Sequence, residues 1–238
     1  MSTDAIDPND SRPKNRGDDV RLKLLEAAIE VFGRHGFDGA TTRMLSGTAG
    51  VNLQAIPYYF GGKEGLYLAA ADHIAERLQV LIGPVGARIA ARLASQQAPG
   101  GEKLSVDDAR RLLTELFETA AGVLVQAESA SWARFIIREQ MEPTEAFERI
   151  YQKIMSRLLE AARSLVGIIL GEAPTSATVR LRTVTLLGQV LVFRVANAAV
   201  MRQLGWTEIG PEQFIAIRDT LRQSIAALAP LREGGSAS

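Results

Sequence analysis

Between residues 41 and 63 the chain gathers side chains that can hydrogen-bond at an exposed surface. The amides of Asn52 and Gln54 donate and accept at once, and a glutamine amide can pair bidentately with an adenine edge. The hydroxyls of Thr41, Thr42, Tyr58 and Tyr59 suit phosphate oxygens. Arg43 and Lys63 add positive charge. Lys63 also opens a helical segment, where free backbone N–H groups favour an anion. With Leu53 and Ala55, which stand between the amides, these residues make one candidate nucleic-acid surface.

The spacing within this stretch says how they are held. Thr41 or Thr42 can cap a short helix over 42–49. Ala49 is small enough for close helix packing, Gly50 permits a left-handed turn, and Val51 can plug the gap between two helices. Asn52 can cap a second short helix over 53–60. Two short helices joined in this way read as a helix-turn-helix, whose second helix can enter the major groove N-terminus first. Pro57 lacks an N–H and is expected to restrain that helix after about one turn. Gly47 lowers the propensity of the first by roughly 1 kcal/mol relative to alanine.

The elements around the motif are helical throughout. Leu22, Leu25, Ala28, Ile29 and Phe32 recur at helical spacing over 18–34, and His35-Gly36 stops that segment. Further helices are expected from Lys63 to just before Gly83-Pro84, then over 85–96, 105–128, 129–142 and 144–170. Two more follow over 177–204 and 211–229. Breaker-rich loops at 96–105 and 171–176 separate them. The fold class is all-α: a three-helix head on a larger C-terminal bundle, about ten helices in all. The domains are a head over 18–66 and a bundle over 67–232. They are flanked by an arm over 1–17 and a tail over 233–238, both expected to be disordered.

Composition removes several functions. The 238 residues include no cysteine, which excludes disulfides, thiolate metal sites and cysteine nucleophiles. His35 and His73 lie in different segments without a second ligand or an HExxH spacing, so no metal site is expected. Gly61-Gly62-Lys63-Glu64 fails the phosphate-loop spacing, because Pro57 stands where its first glycine belongs. Ser11-Arg-Pro-Lys14 lacks the partner motifs of a serine–lysine site. No catalytic constellation and no cofactor is expected. The most apolar segment, 184–200, is broken by Gln189, Arg194 and Asn197, and the N-terminus has no apolar signal region. A cytoplasmic protein is therefore expected, with no membrane partner.

Lys+Arg and Asp+Glu are both 27, so nucleic-acid affinity must come from local arrangement. Residues 12–64 hold eight basic and six acidic side chains, a weakly positive head. Arg12, Lys14 and Arg16 could form a basic arm along DNA.

A second constellation lies in the bundle. Trp132, Arg134, Phe135, Arg138 and Glu139 share one helix, with Arg134 and Arg138 on the same face. If that face points inward, it lines an aromatic pocket with a cationic end. Gln189, Phe193 and Asn197 interrupt or border the apolar surface of 177–204 and complete the candidate ligand set, with Arg194 nearby.

The head resembles the DNA-binding domain of the TetR family of transcriptional regulators. The elements occur in order from Arg21 to Leu66: Ala27-Ala28 and Phe32, Gly36-Phe37, Thr41-Thr42, Ala49-Gly50-Val51, Tyr58-Tyr59-Phe60 and Lys63-Glu64-Gly65-Leu66. Two departures are Pro57, where the family usually carries tyrosine, and Leu45-Ser46, where it carries isoleucine-alanine. Residues 134–144 and 187–194 are similar to the C-terminal domain of the CecR-type subgroup. The resemblance implies a homodimer on a palindromic double-stranded DNA operator. It implies a small-molecule effector in the bundle and, as the usual sign, repression. It also implies a dimer interface built from 177–204 and 211–229.

Overall fold

In a computed structural model, residues 16–96, 98–126 and 129–230 are described. Arg12 and Lys14 of the basic arm lie outside them, as does the tail 233–238. The described residues form twelve α-helices and one π-helical turn, with no strand.

The head comprises α1 (Arg16–Gly39), α2 (Thr42–Ala49) and α3 (Ala55–Phe60). Helix α1 is broken at Gly36 (φ 72°, ψ 178°), at the stop expected from the sequence. Its inward stripe, Leu24, Leu25, Ala28, Ile29 and Phe32, is buried against Leu45 of α2 and Ile56 of α3. Leu22, expected on that stripe, is instead exposed.

Helix α4 (Lys63–Leu81) carries the head into the bundle and is followed by α5 (Gly83–Ser95). Leu66, Ala70, Ala71 and Ile74 seat α4 in one core continuous with that of the head. The bundle continues with α6 (Val106–Val125), α7 (Ala130–Met141) and α8 (Glu145–Ile150). The π turn Tyr151–Met155 leads straight into α9 (Ser156–Leu170). Ser105 caps α6 by accepting from the Asp108 N–H at 3.0 Å. Ser129, just ahead of α7, makes no cap bond and donates its hydroxyl to the carbonyls of Leu124 and Gln126.

The last long segment is not one helix. It divides into α10 (Ala177–Val195) and α11 (Asn197–Leu204), bent by 84°. At the bend, Asn197 Nδ2 donates to Phe193 O at 3.2 Å, a side-chain bond in competition with the helical ladder. Helix α12 (Pro211–Ala226) closes the bundle against α6 through Ile217, Leu221 and Ile225. No single described helix is long and apolar enough to cross a membrane.

Candidate nucleic-acid interface and the cavities behind it

Thr41, not Thr42, caps α2: its Oγ1 accepts from the Met44 N–H at 3.1 Å. The other end closes with Gly50 at φ 64°. There Gly50 N–H donates to Gly47 O (3.2 Å) and Val51 N–H to Ser46 O (3.1 Å). This paired pattern is a Schellman motif, and Val51 supplies its apolar contact by packing on the core. Asn52 Oδ1 then accepts from Gln54 N–H at 2.9 Å, which fixes the entry into α3. Leu53 and Gln54 form a turn ahead of the helix, so α3 begins at Ala55 rather than at 53.

Pro57 takes the third position of α3. An N–H there belongs to the unsatisfied first turn of any helix, so its absence costs no hydrogen bond. Its carbonyl accepts from Gly61 N–H at 3.0 Å and closes the helix. The corner into α4 is tight: a Cβ on Gly65 would lie 1.9 Å from Phe60 O.

The polar edge faces outward. Asn52, Leu53, Gln54 and Tyr58 are exposed, and Tyr58 retains 81% of its accessible surface. Tyr59 and Ala55 are half-buried, and Tyr59 meets Tyr58 edge-on at 4.8 Å. Thr41 and Arg43 are exposed and Thr42 half-buried at the start of α2. Lys63 begins α4 with its Nζ 4.4 Å from the Phe37 ring centre. Asp19 pairs with Lys23 and Glu30 with Arg34, which reduces the free charge of the head. Arg16 starts α1.

The candidate ligand residues do not converge. Phe135 is buried with Tyr67, ring centres 4.9 Å apart, as part of the core. Trp132 carries the Arg77 guanidinium of α4 on its face at 5.1 Å. Arg134 reaches outward to Glu30 of α1 at 3.0 Å. Arg138 turns to a different place, a cleft of about 360 Å³ between head and bundle. Gln189 and Phe193 are half-buried on α10, and Asn197 is exposed at the bend. Arg194 is spent on the α6–α7 connection, donating to Leu124 O, Gln126 O and Ser129 Oγ. The sequence placed Arg134 and Arg138 on one face; the neighbours of α7 separate their tasks.

Two features have contacts that the sequence did not indicate. Glu139 is buried yet fully engaged: Oε2 accepts from Thr144 N–H (3.1 Å), Thr144 Oγ1 (2.8 Å) and Phe147 N–H (2.9 Å). Its Oε1 accepts from the Tyr67 hydroxyl of α4. A carboxylate at the N-terminus of α8 thus joins that helix to the one carrying the head. Burial, then the bond to Glu139 and its charge, push the Tyr67 hydroxyl pKa well above its ordinary value. The second feature is an apolar cavity of about 90 Å³ among α6, the π turn, α9 and α10. Leu116, Phe117, Met155, Leu158 and Leu187 line it.

A helix-turn-helix head on a helical bundle is shared by known proteins. Residues 24–70 match the family model of bacterial regulatory proteins, tetR family. Residues 109–230 match the C-terminal domain of the HTH-type transcriptional dual regulator CecR. CecR of Shigella flexneri is 32% identical over 206 residues, spanning 87% of this chain and 89% of that protein. The chain belongs to the TetR family. It is a DNA-binding transcriptional regulator, and α2–α3 is the helix-turn-helix of this TetR-family protein. Solved structures agree in fold. A TetR-like regulator from Rhodococcus sp. RHA1 superposes with a TM-score of 0.59 at 21% identity, covering 87% of this chain and 93% of that one. FadR from Bacillus subtilis, solved with stearoyl-CoA, gives 0.54 at 17% identity, covering 87% and 97%.

Proposed function

We propose that this TetR-family protein works in the cytoplasm as a homodimeric repressor. Each α3 reads one half of a palindromic operator, and a small molecule in the bundle changes the spacing of the two heads. The observation that carries this reading is the exposed edge formed by Asn52 and Gln54, in the turn that leads into α3, and Tyr58 on α3, held against the doubly capped α2. Arg43 and Lys63 stand beside it for phosphates. Leu181, Val184 and Ile215 are exposed apolar side chains on α10 and α12 and support pairing through those helices. The effector enters the apolar cavity at Met155 and Leu187, because Phe135 and Arg134 are committed to core and ion pair. The operator half-sites are spaced by about one helical turn, 34–36 Å, or a multiple of it.

A rival reading is a ligand-binding bundle whose head no longer reads DNA. Its support is Pro57 and the weakly positive head; the place of Pro57 in the first turn of α3, where no N–H bond is lost, weakens the first of these and leaves the second. Fluorescence anisotropy decides between them, using labelled DNA from upstream of the gene and a scrambled duplex across a salt series. The native chain is expected to prefer the upstream duplex. Gln54→Ala should shrink that preference by about 1–3 kcal/mol, about 5- to 150-fold. Arg43→Ala should weaken both duplexes alike and reduce the salt slope by about one. Equal binding of the native chain to both duplexes would overturn the operator reading for this DNA.

A further inference from the structure

The π turn Tyr151–Met155 lies inside an otherwise continuous run of helix from α8 to α9. Its wide turn is closed by Ser156 N–H donating to Tyr151 O, five residues back. One extra residue per turn is a local defect that can move along a helix, and such turns concentrate at functional sites.

The same turn reaches two places. Met155 lines the apolar cavity, together with Leu158 one turn on. Lys153 Nζ lies 2.8 Å from Asp72 Oδ1 of α4, and Arg149 Nη1, four residues earlier, lies 2.9 Å from Asp72 Oδ2. Asp72 is thus held from α8 and the π turn together, and α4 is the helix that carries the head. On its other side the turn borders a second pocket, of about 190 Å³, against α5. Ile154 is buried, and Leu158 Cδ2 would lie 2.8 Å from a Cβ on Gly86 of α5.

The cavity holds about 90 Å³. An apolar cavity that admits benzene measures about 150 Å³. Met155, Leu158, Leu159 and Leu187 of the lining are half-buried, so the site opens to the surface there, and a guest of that size presses on them as it enters. Met155 is the unbranched, most adaptable side chain there, and it sits on the least regular backbone. The lining offers a guest no charged side chain, so the guest group is uncharged and hydrocarbon-like.

We propose that the π turn is the relay between effector and head. A hydrocarbon group entering beside Met155 shifts the π turn, Lys153 leaves Asp72, and α4 with the head moves on its remaining ties, Arg149 to Asp72 and Tyr67 to Glu139. This rests on the reading of the bundle as the effector domain and adds the ligand class and the route.

The test reads the head position directly, without DNA. The chain has no native cysteine, so Thr48→Cys on α2 and Glu160→Cys on α9 can be spin-labelled without background. Labelled chain is diluted with unlabelled chain, and the head–bundle distance is measured by pulsed electron resonance. The cavity is filled in two ways: by toluene, and by Ala162→Leu, which needs no ligand. Either should move the mean distance by more than about 1.5 Å, the rise of one residue. Asp72→Asn should abolish the response to both. An unchanged distance in toluene-saturated native chain, or an equal shift with Asp72→Asn, overturns the relay. If Ala162→Leu fails to fold, the toluene arm alone decides. A distance response without operator binding would uphold the relay and refute the operator reading. Effector-sensitive DNA binding with no distance change would do the reverse.

Discussion

Tyr67 and Glu139 show how much one buried pair can carry. The sequence gives them no link: Tyr67 follows the Lys-Glu-Gly-Leu run, and Glu139 stands in the arginine and aromatic cluster of α7 with no partner indicated. Their meeting depends on α4 lying against α7 and α8, which no local pattern encodes. Tyr67→Phe keeps the ring contacts with Phe32 and Phe135 and removes only the hydroxyl. It should cost about 1.5–3 kcal/mol at neutral pH, as expected for a bond to a charged acceptor. The pH dependence has a definite sign. Folding raises the Tyr67 pKa, so its contribution is complete below the unfolded value of about 10 and is lost as pH rises above it. Urea unfolding from pH 8 to 11 should therefore show the native chain losing its advantage over Tyr67→Phe with rising pH. A constant difference would show that the hydroxyl stays equally bound in both states.

Single elements divide into those a sequence can place and those it cannot. Helix α2 has the bounds expected from Thr41 and Gly50, because both caps are local and each needs only neighbouring backbone groups. Helix α3 differs, since Asn52 bonds Gln54 and delays the helix to Ala55. That two-residue shift also changes the meaning of Pro57, from an interruption to a first-turn residue. Pro57→Ala should consequently change stability by no more than about 1 kcal/mol, through the greater freedom of the unfolded chain. Gly65→Ala belongs to the opposite case. Its Cβ would strike Phe60 O, a backbone atom that cannot move without shifting α3. We expect a loss of about 1–3 kcal/mol, as for other overpacked sites. Faster hydrogen exchange should be confined to α3 and the start of α4. Denaturant titration of the two variants separates these cases. The bend between α10 and α11 was not legible either: Asn197 is one of three polar breaks in the run, and only the packed structure shows it bonded to Phe193 O at the bend.

At the scale of the molecule, one core runs from α1 through α4 into the bundle, so a change in the bundle has a packed route to the head. The outer face of α10 leaves neighbouring apolar side chains exposed. Leu181 and Val184 keep 68% and 60% of their surface, large values for aliphatic side chains on a long helix. If that face pairs two copies, Leu181→Glu combined with Val184→Glu should give a monomer by light scattering, with the helical circular-dichroism spectrum preserved. Operator affinity should fall steeply, because each monomer reads only one half-site. A dimer surviving both charges would place the interface elsewhere.

By itself the sequence determined the helical class, the order of head and bundle, and the helix-turn-helix. Those follow from periodicity, caps and breakers, all set within a few residues along the chain. Tertiary structure alone decided which arginine of α7 faces which partner, that Glu139 bridges Tyr67 and α8, and that the π turn touches both a cavity and Asp72. Those contacts join residues far apart in the chain. Their energies depend on which surfaces are desolvated together, and that is known only once the helices have packed.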